Sequence, residues 1–134
     1  MDAELRKNML HQANSAFLAL MGQVNILLDG AETFFNGNKP VTFIERVKHE
    51  ELKSAVLNLG SIPSLLASEI AHWAKHEPPV LSPRGIELSL LNELYANMES
   101  MMLFFDRERI KLTGFSLDLV KASYYELLRC NRLL

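Results

Sequence analysis

Apolar residues recur along most of the chain at alternating steps of three and four, and no stretch alternates in the manner of a strand. The longest row is Leu10, Ala13, Phe17, Leu20, Val24, Leu27, Ala31 and Phe34. This heptad-like seam predicts a first helix from about Ala3 to a stop between Leu28 and Asn36. Asp29-Gly30 offers an early end. Asn36-Gly37-Asn38-Lys39-Pro40 offers a later one, because Gly and Asn accept the left-handed conformation and proline cannot continue a helix. Gly22 sits inside the seam at a cost of about 1 kcal/mol relative to alanine, and such a gap lets another backbone come close.

Thr42 and Glu45 form a capping box in which each side chain reaches the other's backbone amide, so a second helix starts there. Ile44, Val47, Leu52, Val56 and Leu59 are assigned to its buried side. Gly60-Ser61-Ile62-Pro63 predicts a break or kink, with Pro63 in the first turn of a third helix that runs to Glu77 and carries Leu66, Ile70, Trp73 and Ala74 on one face. The adjacent prolines 78 and 79 open a loop, and Ser82 caps a fourth helix from Pro83 to about Leu112. Its Met101–Phe105 turn is apolar all round, which predicts burial on more than one side. Gly114 reads as the stop. Ser116 caps a fifth helix with Leu117, Val120, Tyr124 and Leu127 in its stripe and Asp118 suited to the dipole of its first turn. The whole is read as an all-α, up-and-down antiparallel bundle of about five helices in one domain over 1–134, helices two and three acting as one broken rod.

Composition narrows the function classes. With 49% hydrophobic and 22% charged residues, the chain is too apolar for a disordered segment. Its formal charge of −2 lacks the basic excess of a duplex binder, so no nucleic-acid partner is expected. Cys130 is the only cysteine, which excludes an intrachain disulfide and suits a reducing, cytoplasmic setting. The opening Met-Asp-Ala-Glu-Leu-Arg-Lys does not read as a signal peptide. From Asn8 to Leu28 there is no Lys, Arg, Asp or Glu, a length that would cross a bilayer. His11, Gln12, Asn14, Ser15, Gln23 and Asn25 interrupt it, so the stretch is read as a helix enclosed by protein and no membrane partner is expected.

Candidate chemistry is sparse. Glu69, His72 and His76 share a helix face, and Glu-x-x-His is the ligand spacing of carboxylate-bridged dimetal bundles. Such a site needs further converging ligands that the sequence does not supply, so the pair reads first as exposed histidines and no cofactor is expected. Arg6 and His11 have an Arg-x4-His spacing that resembles the motif of the HEPN helical ribonucleases, which would imply cleavage at a phosphate. The likeness covers two residues, and it departs from that family's pattern in lying at the N-terminus and in having Lys7 after the arginine. Arg129 and Arg132 near Cys130 favour a lowered thiol pKa, yet the bland reading is a small filler.

The stronger signal is apolar surplus: 24 Leu, 6 Met and 7 Phe in 134 residues. A neighbouring chain is expected to cover part of it, through Leu20, Leu27, Met102, Phe104 and Tyr124. The leading expectation is therefore a non-catalytic helical-bundle protein that works by protein–protein contact, as a regulator, adaptor or chaperone-like protein, and forms a homodimer. The alternative is an apolar ligand held between helices by Phe17, Met21, Met98, Met101 and Phe105. A metal-dependent or ribonuclease-like enzyme is the further alternative.

Overall fold

The seam residues form one uninterrupted helix, α1 (Ala3–Gly37), followed by α2 (Phe43–Lys75), α3 (Ile86–Arg107) and α4 (Leu117–Leu133). These elements belong to a computed structural model that describes residues 3–37, 39–75 and 86–133. α1 packs between α2 and α4, α2 packs on α3, and a lighter α3–α4 contact closes the ring. Neighbours run antiparallel. The Phe34 ring near the end of α1 lies 5.1 Å from His49 near the start of α2. Arg107 at the end of α3 donates to Glu51 at 2.8 Å. Arg129 late in α4 donates to Gln12 early in α1 at 2.7 Å. The all-α antiparallel bundle is thus as the periodicity predicts, with four helices among the described residues.

The missing break is at Pro63, which lies inside α2. A proline within a helix costs about 3 kcal/mol through the lost amide and the clash with the preceding turn. Leu59, Ile62, Leu66 and Ile70 are buried along one face on both sides of it. Each is worth roughly 1.5–3 kcal/mol when buried, so packing outweighs the defect and the rod stays whole. α2 also corrects the assignment of its first turns: Ile44 and Val47 are exposed, and the buried side is Leu52, Leu59, Ile62, Leu66 and Ile70.

α3 ends at Arg107, five residues before the predicted stop. Arg109 takes a left-handed φ of 57°. Its amide donates to the Asp106 carbonyl at 3.1 Å, and the Ile110 amide donates to the Phe105 carbonyl at 2.8 Å. This is the Schellman pattern with arginine where glycine is usual. Gly114 is left-handed too (φ 84°), but in the turn before α4. The connecting loop folds onto α1, where Gly30 makes room for it. A Cβ at Gly30 would stand 2.6 Å from Leu112 Cδ2 and 3.4 Å from Phe105 Cζ. Close approach therefore occurs at Gly30, and Gly22 has nothing within 4 Å of where its Cβ would be.

The N-caps at Thr42 and Ser116 fall where expected, and Ser82 lies outside the described residues. The Glu45 amide donates to Thr42 Oγ1 at 3.1 Å, and the Glu45 carboxylate accepts from the Val41 amide at 3.3 Å. The Leu119 amide donates to Ser116 Oγ at 3.1 Å. One core runs through all four helices, from Ala13, Leu20 and Leu27 through Leu52 and Leu59 to Leu94, Met98, Met101, Phe105, Val120 and Cys130.

Two substitutions test this account by urea unfolding. Arg109→Gly relieves the left-handed strain and is expected to raise the unfolding free energy by about 1 kcal/mol. Gly30→Val crowds Leu112 and Phe105 and is expected to lower it by about 1–3 kcal/mol. An unchanged midpoint for both would contradict the loop geometry.

Candidate functional site

The surface is built unevenly. α1 carries no Lys, Arg, Asp or Glu from Asn8 to Leu28, and α2 carries none from Ser54 to Ser68. The Phe34–His49 contact at one end and the groove shared by residues 10–17 and 67–71 at the other place these two stretches side by side. Leu18 on α1 is 60% exposed, and Leu57 on α2 is 74% exposed. Gly22 and Gly60 fall at one level in this register, both open on the Cβ side. At the start of α2, Val41, Phe43, Ile44 and Val47 add an apolar cluster in which Phe43 is 77% exposed. By length and composition, Phe43–Ala71 is the one helical stretch among the described residues able to cross a membrane.

A groove of about 330 Å³ opens between α1 and α2, lined by Leu10, His11, Asn14, Phe17, Ala67, Ile70 and Ala71. At the other end of these helices a smaller cavity of about 130 Å³ is lined by Phe34, Glu45, Lys48, His49 and Glu108. His49 is buried against Phe34 and Phe35, although the charged run around it reads as plain surface. Lys48 pairs with Glu108 at 2.8 Å and ties α2 to the residues after α3. Glu45 is fully exposed, and its hydrogen bonds from the Val41 amide and the Thr42 hydroxyl hold its carboxyl below the usual range.

The structure separates the predicted site residues. Met98, Met101 and Phe105 are fully buried in the core, Met21 is partly buried against it, and Phe17 alone of that set lines the groove. Leu20, Leu27 and Phe104, expected at an interface, are covered by the chain's own helices. Met102 and Tyr124 are partly exposed. Tyr124 stacks near Tyr95 with ring centroids 4.7 Å apart, and its hydroxyl donates to Asn92. Glu69 lies on α2, whereas the His72 side chain and His76 fall outside the described residues. Among the described residues no three His, Cys, Asp or Glu side chains converge as a metal site. His11 is exposed and lines the groove, and the Arg6 side chain is outside the described set.

Cys130 is fully buried, its thiol facing the Met9 carbonyl at 3.7 Å. Burial, reinforced by the Glu126 carboxylate, pushes this thiol up, and the opposing pull of Arg129 is the weaker effect. Arg129 therefore does not activate it. No family model, curated protein or solved structure matches this chain.

The thiol provides a check on the core. Cys130 is expected to react with an aromatic disulfide reagent at least about 100-fold more slowly in the folded chain than in urea, since attack needs an exposed thiolate. Because the folded chain holds this proton more tightly, stability should also decline once pH passes the ordinary thiol value of about 8.5. Equal rates in both states would place Cys130 outside the core.

Proposed function

We propose that this is a non-catalytic helical-bundle protein of the cytoplasm that acts through protein–protein contacts, with a second copy of itself as partner. The observation that carries this reading is the outward face of α2. Phe43, Val47, Leu57 and Leu65 are all exposed there, on the side opposite buried Leu52 and Leu59. Large apolar side chains left exposed on one side of a helix, here at two levels separated by Glu50, Glu51 and Lys53, favour contact with another protein. The lone buried cysteine suits a reducing compartment. A role as regulator, adaptor or chaperone-like protein follows from contact without chemistry.

The groove of about 330 Å³ favours a second reading, an apolar ligand seated on Phe17 and Ile70. Its volume lies at the low end for small-molecule sites. A compound that co-purifies with the chain and leaves with the Phe17→Ala variant would favour this reading over the first.

Sedimentation equilibrium at micromolar concentration tests self-association. The expected mass is twice the 15.2 kDa of one chain. A single-chain mass across the whole concentration range would reject the homodimer.

A further inference from the structure

We infer that the copies meet through the uncharged face shared by α1 and α2, with the Gly22–Gly60 level of one chain set against the same level of the other. The inference rests on the self-association reading above and says where the contact lies. The exposed part of this face comprises His11, Ser15, Leu18, Gly22 and Asn25 of α1 and Leu57, Gly60, Ser61, Ser64 and Ala67 of α2.

Area is the first argument. The charge-free stretch of α1 is about 30 Å long and that of α2 about 22 Å, and each helix is about 10 Å wide. Their footprint is therefore about 500 Å² on each chain before corrugation is counted, against the roughly 800 Å² per partner that a standard interface buries. Counted on both chains this is about 1,000 Å², the lower limit of a specific interface.

Charge is the second argument, and it selects a second copy. In an isologous contact every residue meets the same patch of the other chain, so a charged face brings like charges together. The outward sides of the other elements carry such groups: Glu93, Glu99 and Asp106 on α3, Asp118 and Lys121 on α4, and Glu45, Glu50 and Glu51 at the start of α2. The α1/α2 face brings no formal charge to its own image.

Shape is the third. Gly22 and Gly60 each weaken their helix without serving any packing within the chain, since nothing lies within 4 Å of either Cβ position. Leu18 lies four residues before Gly22, and Leu57 three before Gly60. Because the helices are antiparallel, the two leucines flank the glycine level from opposite directions. The face thus offers two projecting side chains beside a depression in which another backbone fits closely.

The test uses the full chain with Leu18→Glu and Leu57→Glu, together and singly, and Leu103→Glu on exposed α3 as control, each checked for unchanged helicity by circular dichroism. A carboxylate forced into this contact loses its water, and the expected result is self-association at least about 100-fold weaker for the face variants. Leu103→Glu should keep the wild-type mass. A wild-type dimer that survives both face substitutions would overturn the location and leave self-association standing. A wild-type monomer would overturn both.

Discussion

The bundle depends on α1 having no charged side chain for six turns. A charged side chain on a packed side of a helix must keep its water or find a partner, because a buried unpaired charge costs several kcal/mol. α1 has no such side chain between Asn8 and Leu28, and it packs against α2 on one side and α4 on the other. Its polar groups are accommodated individually. The buried Gln23 carbonyl accepts from the Ser116 amide at 2.7 Å, a group whose desolvation would otherwise cost about 1–3 kcal/mol. The same bond fixes where α4 begins. Gln12 accepts from Arg129 and secures the far end of that helix.

Periodicity made this architecture legible. Every member of the α1 seam from Ala13 to Phe34 is buried, and the caps at Thr42 and Ser116 stand where their side chains place them. The departures from it have a common cause: tertiary packing overrides local signals. Pro63 looks like a breaker until the leucines and isoleucines around it are weighed against its cost. Arg109 gives no sign that it will take a left-handed conformation. That conformation is imposed because Ile110 and Leu112 turn inward, and Leu112 reaches Gly30.

The candidate site was less legible for a related reason. A heptad step says that a residue is apolar and on a seam; it does not say which chain covers the seam. Leu20, Leu27 and Phe104 satisfy the pattern of an interface and of a core equally well, and here they are core. The exposed row on α2 was harder to see. Phe43, Leu57 and Leu65 lie on the side opposite Leu52 and Leu59, and assigning Ile44 and Val47 to the buried stripe hid the fact that both sides of this helix carry apolar groups. His49 shows the converse, a charged-looking run in which one member turns inward onto Phe34 and Phe35.

The character of the uncharged face bears on how tightly copies would hold one another. An obligate interface resembles a core cut in half, dense in large apolar side chains. This one is built of His11, Ser15, Gly22, Asn25, Gly60, Ser61, Ser64 and Ala67, with only Leu18 and Leu57 as large apolar groups. Serine and asparagine remain hydrated when the chain is alone, so the monomer carries little penalty. Small side chains also let helices approach until backbone and leucine atoms touch, and that contact depends more on fit than on area. A surface of this composition suits reversible association, which is the behaviour a protein acting through contact alone requires if its state is to follow its own concentration.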